Sequence, residues 1–519
     1  MTAAPDVIVA GSGPAGVSAA WPLVLAGLRV LMVDGSDAEE PAPPSREKWK
    51  QRFGADFAGL ELDSDISPKL ATPQAHAARE NYDARLGLET RNFLAVGSLG
   101  RGGLSKIWGA LAEPFLEDEL ARFPFAAREL AASYSAVQRR IGVSGGAEAD
   151  ASVLTNPAAR KLLERFRGRR GAGGLAMHPA CNAVLLQDHD ERAACNRCGE
   201  CLYGCARGAI YDSALELPAL RRFVNFAYAP DHFVRSVGEE GGRPFVDVET
   251  LGGRVRLSAR ATVLAAGCIS TTALALRRIG HVGRPVRLLS NPAAAAAFLS
   301  PFRIGADRPE DSFSLGQLFF RLDTRAGRAA GVVYGANALP ADLFAARLPF
   351  SRPLALRVAR ALAPALLVAT CYAPGALSRN EVAAHAEGDR TRIAITGEQT
   401  VEGRAALDAA LATLRGRFAA LGVLPIPGSA SFLPPGADVH YAGTLPMGGE
   451  GAAATSATGE LANAPNLFVA DGACLPDLPA THPTLTIMAN ADRIGREIAR
   501  RFAANEIDAR SAQPLTVAG

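Results

Sequence analysis

The chain has no basic arm, no aromatic–basic cluster, no internal repeat and no long low-complexity tract. Its formal net charge of +3 over 519 residues lacks the electrostatic footprint of a nucleic-acid binder. No uncharged apolar run reaches the roughly 20 residues that a spanning helix needs. Residues 341–373 come nearest, but Arg347, Arg352, Arg357 and Arg360 interrupt them, as do Pro349, Pro353 and Pro364. An amphipathic helix followed by a core strand near LLVATCY is expected there, with a basic face on a membrane or a greasy substrate as the alternative. A glycine-rich strand–turn–helix pattern begins by residue 6. That leaves no room for a signal peptide, so no cleaved leader is expected and the cytoplasm is the default compartment. Eight cysteines in such a chain read as reduced thiols, or as ligands where they cluster. Hydrophobic residues at 48% and charged ones at 21% describe an ordinary soluble globular protein. The length calls for two cores or a discontinuous domain pair.

The most informative stretch is DVIVAGSGPAGVSAAWPLVLAGLRVLMVDG. Asp6 to Ala10 reads as a buried strand, and Gly11, Gly13 and Gly16 supply G-x-G-x-x-G at the mouth of a helix. The first glycine turns the chain, the second lets a pyrophosphate approach the backbone, and the third lets helix pack on strand. The helix N-terminus offers free N–H groups and the positive end of its dipole to phosphates. LRVLMVD then forms a second strand whose closing acid, Asp34, is placed to hold an adenosine ribose. Together these predict a dinucleotide-binding fold.

Residues 36–90 are polar and punctuated by prolines, an excursion between sheet elements. Residues 126–141 and 405–422 show helical spacing, and ATVLAAG near Ala261 reads as a later strand of the same sheet. QLFFRLD, GVVYG and TRIAIT between about 285 and 434 read as half-buried strands. The chain closes on NLFVADG, a loop and a long helix, so that one sheet is assembled from distant segments with a second domain inserted.

Cys195, Cys198, Cys201 and Cys205 form C-x2-C-x2-C-x3-C, the spacing of the bacterial ferredoxin run. Ala206 follows where a ferredoxin usually has proline. An iron–sulfur cluster, a cysteine-rich loop without metal, and zinc all stay open, with Cys181 as a further candidate ligand.

GSGPAG with Asp34, GSLGRGGLSKIWGA at 97–110, FPFAARELAASYSAVQRRIGVSG, VLAAGCISTTALALRRIG at 263–280, and HYAGTLPMG at 440–448 continuing into NLFVADGACLPDLPATHPTLTIMANA follow one another along the chain. In that order they resemble the glucose–methanol–choline (GMC) oxidoreductases, flavoproteins that oxidise alcohols, in a bacterial branch with a cysteine-rich insert. The resemblance implies an α/β architecture: a Rossmann-like FAD-binding domain from 1–120, 205–284 and 435–505, with a cysteine-rich insert and a mostly antiparallel α+β substrate domain from 121–204 and 285–434. Residues 506–519 are expected to fray.

It also implies FAD held by Gly11, Gly13, Gly16, Asp34, Gly102, Gly103, Ser105, Asp471 and Gly472. His440 and His482 become the proton acceptor and the partner that positions the substrate oxygen. Histidine suits the first task because its ordinary pKa of about 6.5 lets it accept a proton at neutral pH. Trp108 departs from the asparagine or histidine that well-known members carry beside the flavin. The partner is then a small-molecule alcohol, with oxygen, a quinone or a redox protein as electron acceptor and no nucleic acid. A subset of flavin-linked sugar dehydrogenases holds an iron–sulfur cluster in a similar cysteine region. Two other functions share these features: a redox-silent lyase on the same fold, and an electron-transfer subunit whose cysteines do the work.

Overall fold

The strands Val7–Ala10, Val30–Val33, Ala261–Leu264, Leu467–Val469 and Phe226–Ala229 form one parallel sheet. They are short, apolar and covered on both faces, as parallel strands must be when helices flank them. The computed structural model describes residues 4–37, 70, 82–169, 173–307, 311–336, 345, 348–388 and 390–511. Most of the polar excursion expected at 36–90 lies outside the described residues. The sheet order puts Val7–Ala10 at the centre, with Val9 between Met32 and Val263. At its carboxyl end Gly11 has φ +106°, and a Cβ there would sit 2.4 Å from the Ala265 carbonyl oxygen. Only glycine can make that turn beside the neighbouring strand.

Helix Pro14–Leu25 starts with proline in its first turn and packs against the C-terminal helix Thr484–Ser511. The latter runs through 506–511, which the sequence alone assigned to a loose tail; 512–519 lie outside the described residues. Helix Cys268–Arg278 packs on a four-stranded sheet made of Val286–Leu288, Asn380–Glu387, Arg390–Thr396 and Leu88–Arg91. Leu288, Val382, Ala384, Ile393 and Ile395 of that sheet share one core with Val7 and Val263. These segments, grouped in sequence with the inserted domain, thus pack on the nucleotide half.

A seven-stranded antiparallel sheet makes the second half. Its main path is Leu424–Pro425, Ala293–Leu299, Leu366–Tyr372, Gly327–Gly335, Leu318–Thr324 and Leu175–Pro179. Helices Val401–Ala420 and Pro157–Arg167 cover one face, over a core that includes Phe298, Phe320 and Phe418. Strand Leu318–Thr324 was expected to be half-buried. Instead Leu318, Phe319, Phe320 and Leu322 are all fully buried. Its two faces serve different cores: Leu318, Phe320 and Leu322 lie under the helices, and Phe319 lies on the opposite side with Tyr372. The strand at LLVATCY is Leu366–Tyr372, preceded by the amphipathic helix Arg352–Leu362. Among the described residues no helix is long and apolar enough to cross a membrane.

Candidate active site

One cavity of about 1700 Å³ joins the two halves. At one end it is lined by Gly11, Ser12, Gly13 and Asp34, and at the other by His440 and His482. The segments predicted from opposite ends of the chain therefore meet on one space.

At the glycine end, a Cβ built on Gly13 meets nothing within 4 Å and would project into open space. Gly16 does not line the cavity; a Cβ there would fall 1.9 Å from the Gly11 carbonyl oxygen, so it closes the turn instead. Asp34 ends its strand with Oδ2 accepting from the Ser12 N–H (2.7 Å) and Oδ1 from the Ser36 N–H (2.8 Å). Burial pushes its carboxyl upward and these bonds oppose that. The Ser12 and Ser36 side chains add hydrogen bonds to the same carboxylate.

The 97–110 segment crosses the cavity, tied to the glycine loop by a bond from the Gly102 N–H to Ser12 Oγ (2.9 Å). Gly103 lines the cavity, whereas Gly102 and Ser105 do not. Ser105 Oγ donates to the Gly102 carbonyl (2.6 Å) and lies 3.2 Å from Asp212 Oδ1, so both residues brace the loop from behind. Trp108 reaches the cavity with its indole N–H spent on the Tyr211 carbonyl (2.8 Å).

Asp471 and Gly472 form the turn after strand Leu467–Val469 and line the cavity. The Asp471 carboxylate accepts from Thr271 Oγ1 and from the Ala473 N–H, and burial raises its pKa to about 6. A Cβ on Gly472 would sit 2.4 Å from the Tyr441 carbonyl oxygen, so only glycine lets this turn lie against the His440 segment. Gly443 N–H seals the contact by donating to the Gly472 carbonyl (3.0 Å).

The rings of His440 and His482 have centroids 4.8 Å apart and stand edge to face, with Tyr372 beside both. His440 Nδ1 is 3.0 Å from Asn291 Oδ1. The Asn291 amide is fixed because its Nδ2 donates to the carbonyls of Ala373 (2.8 Å) and Pro479 (2.9 Å). Its oxygen can therefore only accept, so the proton of neutral His440 sits on Nδ1 and Nε2 keeps its lone pair. Asp438 holds this corner in turn, accepting from Ser290 Oγ (2.7 Å) and the Asn291 N–H (2.6 Å). Val439 between them has φ +59°, a strained conformation for a β-branched residue. Burial lowers His440 to a pKa of about 4, raises Asp438 to about 7, and holds His482 well below its ordinary value with help from the His440 charge.

His482 Nδ1 is sealed from solvent with no hydrogen-bond partner. A buried N–H without an acceptor is rarer and dearer than a buried lone pair. The His482 proton is therefore placed on Nε2, the tautomer opposite to that of His440. Sequence reasoning found both histidines but missed Asn291, Ser290 and Asp438. An acid two residues before His440 was a usable signal; nothing local marked Asn291.

The cysteine run is not drawn tightly enough around one point to hold a single metal ion. Among the described residues, the one group of three metal-binding side chains with ligand atoms all within 4.8 Å is Glu113, His178 and Cys181. No three of Cys195, Cys198, Cys201 and Cys205 meet that condition. Cys201 is buried in an apolar cluster with Ala110, Val184 and Phe313, while Cys198 is exposed. Cys195 and Cys205 pack against the same cluster as Cys201, and positive φ at Arg197, Gly199 and Gly204 turns the chain between them. Cys181 lies with Glu113 and His178, not with the run.

The GMC oxidoreductase family model, in its C-terminal part, matches residues 377–491, the span that carries His440, Asp471 and His482. Paromamine 6'-oxidase of Streptomyces fradiae is 26% identical over 95% of this chain and 91% of its own length. The 6'''-hydroxyparomomycin C oxidase of Streptomyces lividus is 30% identical over 52% of this chain and 50% of its own. The crystal structure of pyridoxine 4-oxidase from Mesorbium loti superposes with a TM-score of 0.59 at 16% identity, covering 95% of this chain and 99% of that one. A parallel sheet, an inserted antiparallel sheet and a C-terminal histidine segment follow in that order, and the chain is similar over 377–491 to the GMC oxidoreductase family and along 95% of its length to named oxidases.

Proposed function

We propose that this FAD-dependent oxidoreductase oxidises a CH–OH group of a small molecule, with His440 as the base and His482 as the donor that holds the alcohol oxygen. The observation that carries the reading is the pair of imidazoles on the wall of the cavity that Gly11 and Gly13 open onto. The residues fit FAD: a glycine cradle with room at Gly13, Asp34 at the ribose position, and the Asp471–Gly472 turn midway. When bound there, FAD supplies the two-electron acceptor for the hydride of the carbinol carbon. His440 Nε2 takes the hydroxyl proton and His482 Nε2–H donates to the oxygen, so the two tautomers divide the work. Pro483 and Thr484 line the same wall, so the C-terminal helix directs its positive end at this part of the site.

An acid limb tests the assignment. Because burial depresses His440 to about 4, its neutral, competent form persists well below the ordinary value of about 6.5. The pH profile of kcat/KM is expected to stay level through pH 6.5 and fall only towards pH 4. Because Asp438 behind this corner titrates at about 7, the control is Asp438→Asn: an acid limb at 6.5 that persists there would move the base elsewhere. Stability follows the same sign for this group: it is fully present above about 6.5 and lost as pH falls through the folded value.

A lyase and an electron-transfer subunit gain no support, since the relatives are oxidases. The relatives give no support to an iron–sulfur cluster, and no step passes through one. Dioxygen is the acceptor favoured over a quinone or a redox protein, because the named relatives are oxidases. Replacing the exposed Cys198 by serine is expected to leave flavin reduction within a factor of about two, with iron below about a tenth of an atom per chain. Stoichiometric iron and sulfide that disappear in C198S would overturn this.

A further inference from the structure

The seven-stranded sheet turns its helix-free face to the histidines. Register sets what that face carries: Ala297 pairs with Val368 and Val368 with Tyr334, while Ala295 pairs with Thr370 in the next row. All five line the cavity, and the alternate residues Leu367 and Ala369 go into the core beneath the helices, as does Ala296, which also reaches the cavity. Strand periodicity has thus written a mostly apolar wall, in which the Tyr334 and Thr370 hydroxyls bond each other and two alanines leave room in front.

Several hydroxyls here are engaged: Tyr334 and Tyr372 share side-chain hydrogen bonds with Thr370. Ser429 Oγ donates to the Ile426 carbonyl (2.7 Å), and Ser314 Oγ to the Gly199 carbonyl. Charge is the sharper discriminator. Among the described lining residues the acids are Asp34, Asp471 and Asp438. The first is at the ribose end and the second in the turn. Asp438 accepts from Ser290 and Asn291 behind His440. None is offered to an ammonium group, and the cation at this end of the cavity is Arg352. A buried ammonium without a carboxylate is strongly disfavoured. At the chamber's edge Phe350 and Leu354 are 49% and 46% exposed, beside Leu362, which lines it.

We propose that the chamber between this sheet and the histidine pair takes a lipophilic alcohol, an aliphatic or alicyclic CH–OH compound without ammonium groups. It differs in this from the amino sugars for which its relatives are named. The inference rests on the assignment of His440 and His482 to the alcohol.

The test uses FAD-loaded protein with the primary alcohols from butanol to decanol, cyclohexylmethanol and paromamine. Two signals are read: anaerobic flavin bleaching, and displacement of the fluorophore 1-anilinonaphthalene-8-sulfonate. Each added methylene is expected to lower KM about three- to fourfold until the chamber is filled. Decanol, not paromamine, should displace the fluorophore. Ala297→Phe, on the wall and away from the histidines, should raise the decanol KM at least about tenfold while butanol changes less. Ala297→Leu replaces it if the larger variant does not fold.

Faster bleaching by paromamine than by decanol, or no trend with chain length, would overturn the proposal. If no alcohol bleaches a flavin that dithionite reduces, the assignment of the histidines fails instead, and displacement alone decides the chamber. Decanol that competes in the native chain and weakly in A297F supports it; equal competition in both refutes it.

Discussion

Flavin reduction by alcohol in His440→Asn is expected to slow by a factor of about 10²–10⁴, the usual worth of a positioned base, with FAD still bound and the fold intact. Asparagine preserves much of the polarity facing Asn291 but has no nitrogen that accepts a proton at neutral pH. The defect should appear in kcat and kcat/KM together, since the proton moves only as the C–H bond is broken. Anaerobic stopped-flow absorbance measures it directly. His482→Ala should cost less, because it removes a donor to the oxygen while the base stays. If His440→Asn reduced its flavin at the native rate, the proton would have to leave by another path. Equal losses in the two variants would instead mean that the pair acts as one unit.

Gly13→Val should give a folded chain that has lost its flavin. The added side chain projects into open space within the protein itself, so the apoprotein has little to clash with. The same space is where a pyrophosphate would approach the backbone. Filling it costs about 1–3 kcal/mol of misfit, which weakens FAD roughly ten- to hundredfold. The absorbance ratio of purified protein at 450 and 280 nm, with the melting transition of the apoprotein as control, reads both parts. Gly11→Val is the useful contrast. There a Cβ strikes the Ala265 carbonyl at 2.4 Å in a φ +106° turn, so the fold should suffer with the flavin. A Gly13→Val protein that kept a full complement of flavin would displace the phosphate site from this loop.

The dinucleotide half was legible in sequence because its strands are short apolar runs that end in glycines, a pattern with few other uses. His440 and His482 were legible because each opens a distinctive segment. The three-stranded meander formed by Phe233–Glu240, Arg243–Thr250 and Gly253–Ser258 was not. Its strands are half exposed and charged, so alternation of burial leaves little trace in them. Strand Leu318–Thr324 was legible as a strand but not in its burial, which depends on two cores meeting at one sheet. Asn291 was invisible for a related reason: its role comes from a 149-residue separation from His440 that only the fold closes. The cysteine run shows how little spacing alone decides. Spacing along a chain fixes a ligand set only if the backbone curls around one point, and the turns at Arg197, Gly199 and Gly204 carry Cys201 inward and leave Cys198 in solvent.

The antiparallel sheet of the second half has a consequence for how such a protein diversifies. Successive residues of Ala293–Leu299 and Leu366–Tyr372 meet different surroundings, one set mainly the core beneath the helices and the other the chamber. Random libraries restricted to every second position of these two strands should therefore re-cut ligand preference at little expense in melting temperature, whereas the intervening positions should do the reverse.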